Sequence, residues 1–131
     1  MPVRIMVVED DLNLALLLQY NLEAAGYDVE HIERGDSAEQ RIAECAPDLL
    51  FLDWMLPGIS GIELCRRIRK HPGTSNLPII MLTARTDKAD RDFAAWVGAT
   101  HLMTKPFRLS EVLARARDLL TSRRADVQVS T

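Results

Sequence analysis

The stretch Leu49-Leu50-Phe51-Leu52-Asp53-Trp54-Met55-Leu56-Pro57-Gly58 decides the fold. Four apolar residues run without a break into an acid, and turn-forming residues follow. A strand wetted on one side alternates apolar and polar residues; one that is apolar throughout is covered on both faces, as in the middle of a parallel sheet. Ile5-Met6-Val7-Val8 and Ile79-Ile80-Met81-Leu82 repeat the pattern. With two weaker runs, the predicted strands are Val3–Val8, Asp28–Ile32, Asp48–Leu52, Pro78–Leu82 and Thr100–Met103.

Between these runs the period changes to that of a helix. Leu14, Leu18, Leu22 and Ala25 share one face, and Gly26 then offers a left-handed cap. Ala38, Ile42 and Cys45 mark a second helix that Pro47 cannot continue, and Leu64 with Ile68 marks a third, ending before His71-Pro72-Gly73. A fourth spans Asp87 to Trp96 and stops at Gly98. A fifth starts near Ser110, with Ser110-Glu111 as its N-cap, and carries Val112, Leu113, Ala116, Leu119 and Leu120. Five strand–helix units specify an α/β fold, a doubly wound five-stranded parallel sheet with five helices. The expected domain is residues 1–122, with 123–131 a polar tail or the start of a linker; Thr121–Thr131 is read as partly disordered.

Composition narrows the function. The 131 residues suit one domain, and 47% hydrophobic with 27% charged residues is an ordinary soluble globular balance that can fill a single core. No apolar run is long enough for a membrane span, and acid follows the short apolar N-terminus too soon for a signal peptide, so a cytoplasmic location is expected. A net charge of −3 gives no overall field for nucleic acid. The basic run Arg66-Arg67-Ile68-Arg69-Lys70 is read as a solvated helix face. Cys45 and Cys65 stand alone, without metal-ligand spacing, and are read as reduced residues on buried helix faces. His31, His71 and His101 share no ligand spacing and are read as surface residues.

In an open parallel sheet, ligands sit beyond the carboxyl ends of the strands. Four such ends carry chemistry: Glu9-Asp10-Asp11 after the first, Asp53 after the third, Thr83-Ala84 after the fourth and Thr104-Lys105-Pro106 after the fifth. Glu9, Asp10 and Asp53 on one rim would repel each other, and a hard divalent cation relieves this. Lys105 supplies a movable positive charge and Thr83 a hydroxyl donor. A carboxylate nucleophile, a metal, a lysine and a hydroxyl together make a site for a transferable phosphoryl group. Taken singly, each has a plain structural role. Asp10 or Asp11 could cap the first helix, Asp53 could open a turn, Thr83 could cap the fourth helix and Lys105 could lie at the surface. Their conjunction at four strand ends favours the site.

The blocks Val7-Val8-Glu9-Asp10-Asp11, Leu52–Gly58, Met81-Leu82-Thr83-Ala84 and Thr104-Lys105-Pro106-Phe107 resemble the signature blocks of response-regulator receiver domains, in order and correctly spaced. The resemblance covers Val3 to Leu120, and up to Arg85 it is nearest to the phosphate-regulon regulators of the OmpR/PhoB class. It implies a flavodoxin-like, CheY-like sheet with strand order 2-1-3-4-5. It implies that Asp53 is the phosphoacceptor, fed by a histidine kinase, a phosphotransfer protein or a small phosphodonor in a two-component phosphorelay. Asp10, Asp53 and the backbone carbonyl of Met55 would bind Mg²⁺ directly and Glu9 through water. Lys105 would pair with phosphoryl oxygens and precede a cis bond to Pro106; Thr83 would swing toward the phosphoryl group, and small Ala84 would leave access open. The protein would be a signalling switch and not an enzyme, beyond self-phosphorylation and autodephosphorylation.

The sequence departs from that family at the fifth strand. Leu102 occupies a switch position usually held by Tyr or Phe, and Thr100 and His101 replace two acids of a charged dimer face, although Arg91, Glu111 and Arg115 remain. A homodimer through the fourth helix, fifth strand and fifth helix is therefore expected to lack half its ion pairs. Trp96 is read first as a core or partly covered ring, and second as an apolar anchor for another partner. The alternative function is a pseudo-receiver that binds proteins independently of phosphorylation. An aspartyl-phosphate phosphatase is rejected because Met55 stands where its general acid would be, and a flavin carrier because Glu9-Asp10-Asp11 would repel the phosphate. OmpR-class regulators continue into a winged-helix DNA-binding domain, so the chain is expected to be either a stand-alone receiver or a longer regulator's N-terminal piece, cut near Arg123-Arg124.

Overall fold

Alternation within the apolar runs sorts the core into two layers. The computed structural model describes residues 2–129, with side chains described through residue 122. Its strands are β1 (Arg4–Val8), β2 (Asp28–Ile32), β3 (Leu49–Asp53), β4 (Ile79–Thr83) and β5 (His101–Thr104). They pair in parallel in the order β2-β1-β3-β4-β5, as the resemblance implied. The helices are α1 (Leu12–Ala24), α2 (Gly35–Glu44), α3 (Gly61–Lys70), α4 (Lys88–Val97) and α5 (Leu109–Val129). Successive strand side chains point to opposite faces. Met6, Val8, Leu50, Leu52, Ile79 and Met81 accordingly pack in one core with α2, α3 and α4. Ile5, Val7, Leu49, Phe51, Ile80 and Leu82 pack in the other with α1 and α5.

β1, β3 and β4 lie inside the sheet, and every residue of β3 and β4 is buried. Three strand ends fall one residue later than expected, at Asp53, Thr83 and Thr104. Hydrophobicity stops before these polar residues, but the backbone ladder does not: Asp53 pairs with Leu82 and Thr83 with Thr104. The polar residues thus stand on the last rungs of the sheet.

The helix ends follow local chemistry. Asp11 caps α1, its Oδ1 accepting from Asn13 N at 3.1 Å and Leu14 N at 3.3 Å. Ser60 Oγ does the same for α3, accepting from Glu63 N at 3.1 Å. Gly26 (φ 100°) and Gly98 (φ 125°) occupy left-handed positions after α1 and α4, where a Cβ is disfavoured. α5 differs from expectation at both ends. The carbonyl of Arg108 accepts from Glu111 N and Val112 N, so Ser110 lies inside the first turn instead of capping it. At the other end the helix runs through Val129, where a polar tail was expected. Arg123, Arg124 and Ala125 are good helix formers, and no Gly or Pro intervenes to stop the turn.

The basic run of α3 is a solvated face at Arg66, Arg67 and Lys70, and only Arg69 is drawn into the fold. Arg66 pairs with Glu63, and Arg67 with Glu39 and Glu63. Arg69 Nε donates to the carbonyl of Gly98 at 2.8 Å, and its other nitrogens reach Ser75 O and Thr100 Oγ1. Both cysteines are free; Cys65 is buried on α3, whereas Cys45 sits half-buried at the end of α2 against the guanidinium of Arg4. Among the described residues, no helix is long and apolar enough to cross a membrane.

Candidate functional site

Glu9, Asp10 and Asp53 converge on one rim, and one carboxylate oxygen from each lies within 4.8 Å of the others. Each arrives by a different route. Asp53 is the last residue of β3, and Glu9 and Asp10 lie in the turn between β1 and α1. Glu9 is 1% exposed and Asp53 5%, whereas Asp10 faces solvent. His31 was read as a surface residue, yet it is half-buried and its Nε2 lies 2.7 Å from the carbonyl oxygen of Glu9, steadying the end of β1. That contact joins β2 to the residue just past the end of β1, and no spacing along the chain announces it. His101 is half-buried as well, while His71 is exposed and accepts from Gly73 N.

Lys105 reaches across to the acids from the loop after β5. Its Nζ lies 3.0 Å from Glu9 Oε2 and 3.3 Å from Asp53 Oδ1. Burial pulls the ammonium toward neutrality, but hydrogen bonds and charge attraction from Glu9 and Asp53 outweigh it and raise the pKa above its ordinary value. Glu9 moves the other way for a carboxylate. Burial, with the charge of Asp53 added, lifts its pKa from 4.5 to about 7 against the opposing pull of Lys105. One ammonium therefore faces three carboxylates, and the rim keeps an excess of negative charge. This donor set fits a hard divalent cation: all the ligands are oxygens, two are buried, and their repulsion is incompletely relieved.

Thr83, at the end of β4, is 2% exposed. Its Oγ1 accepts from Arg85 N at 2.9 Å and its carbonyl accepts from Lys105 N at 2.7 Å. Thr83 therefore does not cap α4; the capping position is Asp87, whose side chain makes no capping bond. Ala84 is exposed beside it, and the Lys105–Pro106 peptide is cis, as expected. Met55 is exposed in the loop after Asp53. Gly61 holds that loop closed, donating its N–H to the carbonyl of Trp54 at 2.9 Å. A Cβ at Gly61 would lie 2.0 Å from the carbonyl oxygen of Asp53, so the start of α3 can approach the site only without a side chain.

Leu102 is half-buried against the core of α2, α3 and α4. Thr100 is exposed, but its hydroxyl is engaged, Oγ1 accepting from Ile79 N and Arg69 Nη2. Burial, and then the charge of Arg115, lowers the pKa of His101. Among the described residues, Arg91, Glu111 and Arg115 make none of the ion pairs observed. Trp96 is not a core residue: it is 82% exposed, stacked on Phe93. The helical period placed it on α4 without revealing which face the neighbouring elements cover.

Comparison with known proteins agrees with this geometry. The family model described as the response regulator receiver domain matches residues 5–117. The chain is 54% identical over 126 residues to the phosphate regulon transcriptional regulatory protein PhoB of Rhizobium meliloti, covering 96% of the chain and 55% of that protein. It is 41% identical to the alkaline phosphatase synthesis transcriptional regulatory protein PhoP of Bacillus subtilis, covering 95% of the chain and 50% of that protein. The chain thus spans about half the length of the curated relatives it matches. A response regulator structure from Chloroflexus aurantiacus superposes with a TM-score of 0.87 at 39% identity, covering 92% of this chain and 99% of that one. With its sheet order, its acidic rim and its lysine in place, the chain belongs to the response regulator receiver family and is a signal-transduction receiver domain of the kind found in regulators similar to PhoB and PhoP.

Proposed function

We propose that residues 1–122 form a phosphoryl-operated switch whose acceptor is Asp53, acting in the cytoplasm with a histidine kinase or a phosphotransfer protein as donor. The observation that carries this reading is the shared grip of Lys105 Nζ on Glu9 and Asp53 beside Asp10. Asp53 would attack phosphorus through a carboxylate oxygen, breaking the phosphorus–nitrogen bond of a phosphohistidine or the phosphorus–oxygen bond of an acyl phosphate, and the leaving group would take the electron pair. Asp10, Asp53 and the Met55 carbonyl would hold Mg²⁺, with Glu9 acting through water. When bound, the ion neutralises charge on the transferring group. Lys105 would let go of Glu9 and pair with a phosphoryl oxygen. The Thr83 hydroxyl, now an acceptor for Arg85, retains a proton to donate to another oxygen.

The surroundings suit a protein donor. A groove of about 450 Å³ beside Lys105 is lined by Leu14, Leu17, Pro106 and Phe107 among others. Leu12, Leu16 and Tyr20, spaced four residues apart, form a separate exposed apolar row along α1. The intact site gives no support to a phosphorylation-independent module, despite Leu102. Incubation with acetyl phosphate and Mg²⁺, read by intact mass, tests the proposal. One added phosphoryl group is expected in the parent chain and none in Asp53→Ala or in the presence of EDTA. Equal labelling of Asp53→Ala would overturn it.

A further inference from the structure

Three rings and one guanidinium run without interruption from the acidic rim to the outer surface. Trp54 follows Asp53 and is 8% exposed. The Arg85 guanidinium carbon lies 5.2 Å over its ring. Phe93 of α4 lies 6.4 Å from Trp54, tilted by 44°, and 6.2 Å from Trp96, stacked within 21°. These separations fall in the range of attractive ring pairs and cation–π contacts. Arg85 belongs to two networks at once. Its backbone N–H donates to Thr83 Oγ1 at 2.9 Å, while its side chain reaches Asp90 in the first turn of α4 at 3.6 Å. Leu102, by contrast, has no ring to move and lies half-buried against the core.

We infer that Trp54, Arg85, Phe93 and Trp96 form the output path of this switch, reporting the state of Asp53 as a change in the exposed ring pair on α4. The inference rests on Asp53 being the phosphoacceptor. A phosphoryl group there brings a charge of about −1.5 to −2 and new acceptor oxygens. If Thr83 turns its hydroxyl toward them, the N–H of Arg85 loses its acceptor and the backbone at the start of the β4–α4 loop must readjust. The guanidinium, drawn by the same charge, slides from the face of Trp54 and slackens its hold on Asp90. Trp54 is nearly enclosed, so a change against its ring is passed to the ring it adjoins, Phe93. Phe93 is half-exposed and holds Trp96 by stacking alone among the ring contacts present, so the Trp96 ring is free to take a second position. The differential contact that biases the two states is made at Asp53, and the readout is on α4.

The chain has two tryptophans, so 5-fluorotryptophan labelling gives one fluorine resonance for Trp54 and one for Trp96, assigned by Trp96→Phe. Adding Mg²⁺ and beryllofluoride, which stands in for the phosphoryl group, places the bound fluoride resonance in the same spectrum. Both tryptophan resonances are expected to shift in the parent chain. In Phe93→Ala only Trp54 should shift, and Phe93→Tyr should restore the response of Trp96. Phe93→Leu, which keeps apolar bulk without a ring, serves as the second test if the alanine variant fails to fold. Bound fluoride with a shifted Trp54 and an unmoved Trp96 would overturn the path while leaving the acceptor site standing. A Trp96 shift that persists in folded Phe93→Ala or Phe93→Leu would also overturn it. Absence of bound fluoride in the parent chain would overturn the acceptor reading and the path together.

Discussion

Glu9 shows how one residue links burial to chemistry. It is almost fully enclosed, shares Lys105 with Asp53, and keeps its proton to about pH 7 against an ordinary value of 4.5. In that interval the folded chain holds a proton that the unfolded chain has lost, so stability must fall as pH rises through it. Thermal unfolding in EDTA should therefore show a midpoint that declines from the ordinary carboxylate range up to about pH 7. Glu9→Gln should flatten that slope; an unchanged slope would show that the burden lies elsewhere. Lys105 is the complementary case, since its removal leaves two buried carboxylates without their common partner. Lys105→Met should lower the stability of the metal-free chain by on the order of 2 kcal/mol, the usual scale for a hydrogen bond to a charged group. Urea denaturation measures this, and added Mg²⁺ should return part of the loss.

Element ends position those residues. The start of α3 presses against the backbone of Asp53 because residue 61 has no Cβ. Gly61→Ala forces either α3 or the loop after β3 to move, and should cost about 1–3 kcal/mol, as overpacking generally does. Its effect on Mg²⁺ affinity, read by titration calorimetry, should exceed that of a substitution equally destabilising but remote from the rim. Asp11 does something simpler: it satisfies two amides at the start of α1. Asp11→Ala should cost about 1 kcal/mol in urea denaturation, the typical value for losing an N-cap. The expected strand ends stopped one residue short at Asp53, Thr83 and Thr104 because hydrophobicity ends there while hydrogen bonding continues. Polar side chains on the last rung of a sheet gain the rigidity of the sheet, which holds their geometry more tightly than a loop would.

At the scale of the molecule, the face formed by α4, β5 and α5 has changed character. The Thr100 hydroxyl is held by Arg69 and Ile79, Leu102 is half-buried against the core, and Arg91, Glu111 and Arg115 take no part in the ion pairs observed among the described residues. An aromatic pair stands exposed on α4 instead. Light scattering after gel filtration should therefore give the mass of a single chain with and without Mg²⁺ and beryllofluoride. A doubled mass that disappears in Asp53→Ala would show that this face still closes a dimer.

What the sequence determined by itself was set by short-range rules. Unbroken apolar runs announced a parallel sheet covered on both faces, helical spacing and glycines marked the elements between, and four strand ends named Glu9, Asp10, Asp53, Thr83 and Lys105. That works because side-chain period and turn chemistry act over a few residues, and because parallel strands bring their ends to one edge. Tertiary structure alone decided the contacts between distant segments: His31 against the carbonyl of Glu9, Arg69 bridging α3 to Gly98 and Thr100, and the line of rings from Trp54 to Trp96. Trp96 was misplaced toward the core for the same reason. Which face of α4 is covered depends on the angle at which the helix lies on the sheet, and packing of the whole domain sets that angle.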